Sequence, residues 1–275
     1  MRSLLWPRGL GVALLFCREG NKCMHTKCAD QQTQKSYCGK DLDALGDHCV
    51  ICGIGGHLFT RHGAVNGILA EAGRQAGYQA LHEQVIPDFG RWQVKPNGSR
   101  VLEEARVDVE LFGHPVAPAR LLDGTIRHPA SSSVVGRSSK VLGFAASEGE
   151  KAKAKRYLAQ NGKEVVACSM ETWGFMGTSL EALLRDLAVL ATRRQRERGV
   201  VPTKWFMKWT LQLSLSVALH VGKALLESLP TSERYYHTLV YRSTDFHGAD
   251  GEATLDDGGQ STPIARDDVI EVDPG

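Results

Sequence analysis

Residues 106–129, RVDVELFGHPVAPARLLDGTIRHP, decide how the rest of the chain reads. Val107, Val109 and Leu111 alternate with Asp108, Glu110 and Phe112, the period of two that marks a half-buried strand. Gly113, Pro115 and Pro118 break the run. Residues 121–126 resume it and carry Asp123 in an otherwise apolar strand. A carboxylate there is costly to bury unless something pairs with it. Two strand carboxylates, Asp108 and Asp123, facing one another could share a divalent cation. Mg²⁺ suits such a pair, because it takes oxygen ligands and keeps waters for chemistry. The competing reading is an edge hairpin with two solvated carboxylates.

Working outward, residues 80–87 read as a short strand before a turn, with Glu83 beside His82. Before it, Val65, Ile68, Leu69, Ala72 and Ala76 fall at helical spacing, with Gly77 as the stop. After the hairpin, residues 130–140 form a polar loop and 145–158 a helix with Lys151, Lys153 and Lys155. Lys153 and Tyr157 share a face of that helix. A lysine run is ordinarily a solvated face; the sharper reading has a lysine reaching a carboxylate site. Residues 163–170, KEVVACSM, read as a buried strand. Thr178 or Ser179 caps a helix whose Leu180, Leu183, Leu184, Leu187 and Leu190 make an apolar stripe. Phe206, Trp209, Leu213, Val217, Val221 and Leu225 predict a second long helix packed on the first.

Seven cysteines are unevenly placed: six lie within residues 17–52, and Cys168 stands apart. Clustering among histidines points to metal rather than to a disulfide framework. Residues 21–62 hold Cys23, His25, Cys28, Cys38, His48, Cys49, Cys52, His57 and His62. Tetrahedral zinc needs four thiolate or imidazole ligands. Cys38, His48 and Cys52 supply three, and the fourth stays open between Cys28 and Cys49.

The 275 residues suffice for one or two domains. The net charge of +2 hides an asymmetry. Residues 245–275 carry nine acids and one arginine, so residues 1–244 hold 32 basic and 22 acidic side chains, a net of +10. A basic body is compatible with nucleic acid, and the acidic tail reads as disordered. No run of 18 apolar residues predicts a membrane span. No Walker-type loop or GxGxxG occurs, which argues against a nucleotide cofactor. The division expected is a poorly ordered extension at 1–22, alternatively a mitochondrial or secretory targeting segment. A Cys/His region at 23–62, an α/β core at 63–178, a helical pair at 179–230 and the acidic tail at 231–275 follow it.

Six segments in this order resemble the C-terminal region of non-LTR retroelement polyproteins, the part beyond the reverse transcriptase. They are LDALGDHCVICGIGGHLFTRH, AGYQALHEQVIPDF, ARVDVELF, ARLLDGTIRHP, KAKAKRY and VVACSMETWGFMGTSLEALL. The resemblance implies a Cys/His zinc knuckle followed by a restriction-endonuclease-like domain of the PD-(D/E)xK class, an α/β fold with a mixed sheet flanked by helices. It matches Asp108 to the first acid and Asp123 to the second, and places Glu83 in the metal shell. Thr125 stands where the usual lysine would be. The K-x-x-(K/R)-Y pattern instead assigns the lysine to Lys153, with Lys155 next to it. Val107 replaces the proline before Asp108, Gly63 the asparagine expected after Arg61 and His62, and no reverse transcriptase signature occurs. The expected function is Mg²⁺-dependent hydrolysis of DNA in the nucleus, with RNA as a second substrate class. The alternatives are a non-catalytic, zinc-stabilised nucleic-acid-binding remnant, or an unrelated interaction protein with a zinc-stabilised N-terminus.

Overall fold

The alternation over residues 106–112 gives a strand whose Val107, Val109 and Leu111 are wholly buried, while Asp108, Glu110 and Phe112 are half-buried on the other face. Around it the computed structural model describes residues 22–25, 37–43, 45–157, 163–199 and 204–229. The expected N-terminal extension or targeting segment, Cys28 and the acidic tail lie outside the described residues.

The elements run α1 (Asp47–Ile51), α2 (His57–Ala76), β1 (Gln79–Val85), a 3₁₀ turn (Pro87–Phe89), β2 (Arg91–Val94), β3 (Arg100–Glu103), β4 (Arg106–Phe112), β5 (Arg120–Arg127), α3 (Val135–Ser138), α4 (Phe144–Arg156), β6 (Val165–Glu171), α5 (Thr178–Glu197) and α6 (Trp205–Glu227). Four strands form one mixed sheet in the order β1-β4-β5-β6. β4 is antiparallel to both β1 and β5, and β5 is parallel to β6. The parallel pair requires a crossover, and α4 lies within it. β2 and β3 pair only with each other, as a hairpin inserted between β1 and β4.

Helices flank the sheet. Val65 and Leu69 of α2, Leu180, Leu184 and Leu187 of α5, and Trp205, Trp209, Leu213 and Val217 of α6 close over Val109, Leu111, Leu122 and Met170. Burying one such aliphatic side chain stabilises the fold by roughly 1.5–3 kcal/mol. The leucine stripe of α5 and the long helix after it are thus core elements; Leu190, Phe206, Val221 and Leu225 sit at its margins or on the Cys/His region. A smaller cluster joins Ile86, Phe89, Val107, Leu121, Tyr157 and Val165. No helix among the described residues is long and apolar enough to cross a membrane.

Two carboxylates, Glu171 buried and Glu150 half-buried, fix the starts of two helices. Glu171 at the end of β6 accepts hydrogen bonds from the N–H groups of Ala145 and Ala146, at 3.0 and 3.4 Å. A negative group there complements the helix dipole and satisfies donors at the start of α4. Glu150 of α4 accepts from the Ser179 N–H at 2.7 Å and the Thr178 hydroxyl at 3.0 Å. The cap of α5 therefore comes from a neighbouring helix rather than from Thr178 or Ser179. α4 also lies close on the sheet: a Cβ on Gly149 would stand 2.4 Å from Ser169 Oγ and 2.9 Å from Thr125 Cγ2.

Candidate functional site

Two groups of chemistry-bearing side chains stand out, one of sulfur and nitrogen and one of oxygen. The first is built by loops. The segments around Lys22 and Asp41 meet in an antiparallel bridge. Cys23 N–H donates to Lys40 O at 2.8 Å, and Gly39 N–H to Cys23 O at 3.0 Å. These bonds set Cys23 beside Cys38. The Asp43 carboxylate accepts from the N–H groups of Leu45, Asp47 and His48, at 3.1, 2.9 and 2.7 Å. That turn starts α1 and aims His48, and Cys52 follows at the end of the helix.

Cys23, Cys38, His48 and Cys52 bring one ligand atom each within 4.8 Å of all the others. The Cys23 and Cys52 sulfurs are 3.9 Å apart, and Cys38 Sγ is 3.3 Å from His48 Nε2. In a tetrahedral zinc site, ligand bonds of ~2.3 Å put sulfurs about 3.8 Å apart. This Cys₃His group could therefore hold a metal such as zinc. Burial above all pushes the Cys23 thiol up to about 12 and raises Cys52. Burial also opposes ionisation of Cys38, but the Lys40 N–H and the two neighbouring thiols hold it below the ordinary range. Burial and Lys40 keep His48 in the neutral form that ligates metal.

The fourth member of the group is thus Cys23, neither of the two residues expected from sequence. Cys49 is turned away: its thiol donates to Ser228 Oγ at 3.1 Å, beyond the C-terminal end of α6. Being on α1 directly after His48, it faces away from the ligand side of that short helix. Cys28 lies outside the described residues. The same end of α6 takes a further hydrogen bond, from Met24 N–H to Ser228 O at 3.0 Å. His25 Nε2 reaches Ala224 O at 2.8 Å.

The second group sits where β4 and β5 separate. Their ladder pairs Glu110 with Leu121 and Val109 with Leu122, then stops. One step on, Asp108 stands across from Asp123. Instead of another ladder bond, the Asp108 carboxylate accepts the Gly124 N–H at 2.5 Å. His62 of α2 places Nε2 3.1 Å from Asp108 Oδ2 and 3.3 Å from Gly124 O. Asn66, one helical turn along, places Nδ2 3.2 Å from His62 Nδ1 and so fixes the ring with Nε2 toward the carboxylate. From α4, Lys153 Nζ donates to Asp123 Oδ2 at 2.7 Å. Tyr157, on the same face as Lys153, donates to Arg106 O at 3.2 Å.

The electrostatics divide the carboxylates. Burial works against ionised Asp108, but the His62 hydrogen bond and charge and the Gly124 N–H hold its pKa below the usual range. Burial pushes Asp123 up; Lys153 pulls it down, and the Asp108 charge raises it further. Two carboxylates at close quarters cannot both ionise freely without a cation. His62 is raised by its bond to Asp108. Burial and the Asp123 charge push the Tyr157 phenol up to about 12.

Asp108, Asp123 and Lys153 are therefore brought together. Glu83 is not joined to them by any bond among the described residues. It lies on β1 with φ 55°, the only non-glycine positive φ among the described residues. That turn interrupts the β1–β4 ladder between His82–Val109 and Gln84–Val107. The Glu83 carboxylate, more than half exposed, sits 3.9 Å from the Arg106 guanidinium. The helix side chains in the group are instead His62, which the sequence offered only among the Cys/His metal candidates, and Asn66, a polar position among the apolar ones of a helix that begins at His57. Lys155 is exposed and Lys153 half-buried, which separates the two lysines.

Neighbouring residues tie the groups together. Arg61, buried on α2, donates to Val50 O of α1 at 3.3 Å, while the adjacent His62 faces the carboxylates. His128, just past β5, lies with Nε2 2.9 Å from Asp47 of α1 and Nδ1 2.7 Å from the Thr172 hydroxyl. No family model matches this sequence, and no curated protein matches it.

Proposed function

We propose that this chain is a zinc-knuckle and restriction-endonuclease-like region of retroelement origin, acting as a metal-dependent DNA endonuclease in the nucleus. The observation that carries the reading is the meeting of Asp108, Asp123 and Lys153 at the splayed end of β4 and β5. The order helix, strand, two antiparallel strands, crossover helix and parallel strand supports the PD-(D/E)xK class, as does the sheet order β1-β4-β5-β6.

The residues fit a hard cation. Asp108 and Asp123 supply oxygens, and Asn66 Oδ1 is a buried oxygen with no hydrogen-bond partner. A Cβ built on Gly124 would lie 2.7 Å from that oxygen and 3.2 Å from Asp108 Oδ2, so the glycine leaves both open to one space. Asp108 and Asp123 would hold Mg²⁺, which when bound would supply Lewis-acid polarisation of the scissile phosphate and a water of lowered pKa. His62 holds Asp108 ionised and in place. Lys153 presents three donors at the same spot, where it orients the attacking water or offsets charge growing on the phosphorane. Burial around Asp108, Asp123 and Tyr157 limits water to what the site admits and strengthens each of these interactions.

The test is nicking of supercoiled plasmid by the zinc-loaded protein with Mg²⁺, beside Asp108→Ala/Asp123→Ala. Nicking by the wild type alone is the expected result; equal nicking by both proteins refutes the assignment. A second reading, the non-catalytic nucleic-acid-binding remnant, is favoured by the Lys153–Asp123 ion pair, which neutralises one carboxylate without any metal ion. It predicts zinc retention and DNA binding with no nicking by either protein.

A further inference from the structure

The β2–β3 hairpin is exposed at every position except Glu103, which is half-buried. Its register pairs Arg91 with Glu103, Trp92 with Leu102, Gln93 with Val101 and Val94 with Arg100. Cross-strand partners share a face, so the two faces differ. One carries Arg91, Gln93 and Glu103, where Glu103 accepts from Arg91 at 2.7 Å and pairs with Arg156 of α4 at 3.5 Å. The other carries Trp92, Val94, Leu102 and Arg100. There Trp92 is 61% exposed, Val94 69% and Leu102 49%. The Arg100 guanidinium lies over the Trp92 ring, 5.5 Å from its centroid. Lys95 stands at the turn, which closes through its N–H to Ser99 O at 2.9 Å. Neither Lys95 nor Arg100 makes an ion pair among the described residues.

A two-stranded ribbon with both faces in water is marginal by itself, and bulky apolar side chains left exposed on it mark an interaction surface. The acid on the ribbon is neutralised, whereas the cations at its turn and apolar face are not, so the surface complements a polyanion. The ribbon also leads straight into β4: β3 ends at Glu103, and Asp108 lies on the strand that begins at Arg106.

We propose that the β2–β3 hairpin enters the major groove of B-form DNA and holds the duplex against the Asp108–Asp123 pair. The Trp92 face lies on base edges, while Arg100 at the turn end of that face and Lys95 at the turn contact phosphates. This rests on the nuclease reading above and adds the element that grips the substrate. The width agrees: strands spaced ~4.8 Å apart, with their side chains, match a groove about 12 Å wide that admits a two-stranded ribbon. The deep, narrow major groove of A-form RNA excludes such a ribbon.

The test uses full-length protein and fluorescence anisotropy with a labelled DNA duplex and the RNA duplex of the same sequence, without added Mg²⁺. The proteins are wild type, Lys95→Ala/Arg100→Ala and Trp92→Ala, with circular dichroism to verify the fold; all three positions lie outside the core. The expected result is DNA bound at least ~10-fold tighter than RNA and at least ~10-fold weakening in the double variant. Its salt slope should fall by about 2, since each lost phosphate contact removes ~0.9, and Trp92→Ala should weaken binding without changing that slope. Equal binding of DNA and RNA, or variants that bind DNA as the wild type does, overturns the proposal. If plasmid nicking that depends on Asp108 and Asp123 persists in that case, the nuclease reading survives without it. Wild-type protein that neither binds the duplex nor nicks plasmid overturns both.

Discussion

The Cys₃His group and the carboxylate group are built on opposite plans. The first gathers four ligands from loops and a five-residue helix, with only Cys23, Leu42, Cys49 and Cys52 forming a small buried cluster of its own. The second hangs its side chains on β4, β5 and α2, which share the main core, and on α4, which lies close on the sheet at Gly149. One group could hold a metal such as zinc and has few other contacts to order it; the other is paired by internal bonds, with His62 on Asp108 and Lys153 on Asp123. A site made by loops depends on its metal for folding, whereas a site on a sheet is placed by packing and keeps its geometry when empty.

The most forceful way to break this comparison is to strip the zinc with a chelator. Structural zinc contributes on the order of 10 kcal/mol to small domains that depend on it. Hydrogen exchange should show residues 37–56 losing protection together with the last turn of α6, which is bonded to Met24, His25 and Cys49. The amides of β4, β5 and β6 should keep theirs. Loss of protection across the sheet would show that the two regions form one cooperative unit.

Next in size is Lys153→Ala. It leaves the Asp123 carboxylate, 5% exposed, without its cation. Removing one partner of such a pair costs about 3–5 kcal/mol, read from urea unfolding, and the loss should shrink as pH falls and Asp123 takes up a proton. Added Mg²⁺ should restore part of the stability if the carboxylates hold a cation. A variant as stable as wild type would mean that water already solvates Asp123.

A smaller effect comes from pH. Burial holds the folded-state pKa of His128 below its ordinary value, against the Asp47 hydrogen bond. The unfolded chain therefore takes up the proton first. The stability from this group is complete above about pH 6.5 and declines as pH falls through that value toward the folded pKa. Its imidazole resonances should titrate below those of exposed histidines, and His128→Gln should lose this part of the slope. A raised pKa would mean that Asp47 dominates and that the link from β5 to α1 is an ion pair.

The smallest effect is expected at Glu83. An exposed side chain outside the carboxylate group changes stability by no more than about 0.5 kcal/mol on truncation, and Glu83→Ala should nick plasmid as the wild type does. A large loss of nicking would place Glu83 in the cation shell after all and make its left-handed backbone part of the mechanism.

Much of this was legible in the sequence. Alternation over 106–112 and the leucine stripe of α5 each carry a period that survives in the structure, and the apolar run ending at Met170 is a strand buried on both faces. Asp108, Asp123 and Lys153 could be singled out because charged residues in or beside apolar elements are conspicuous. Cys23 could not be, since 14 residues separate it from Cys38 and only the bridge between the segments around Lys22 and Asp41 brings them together. His62 was singled out only as a metal candidate of the Cys/His region, and Asn66 not at all, because their place beside Asp108 depends on how α2 crosses the splayed strands, which no local period encodes. The β2–β3 hairpin left no trace for the related reason that it buries neither face.

The measurement that bears most directly on the carboxylate group is binding of Mn²⁺, a paramagnetic stand-in for Mg²⁺, followed by electron paramagnetic resonance on zinc-loaded protein. Wild type should take up one or two Mn²⁺ per chain, and Asp108→Ala/Asp123→Ala should take up none while retaining its zinc. Mn²⁺ bound equally by both proteins, or by neither, would contradict a hard-cation site at the splayed end of β4 and β5.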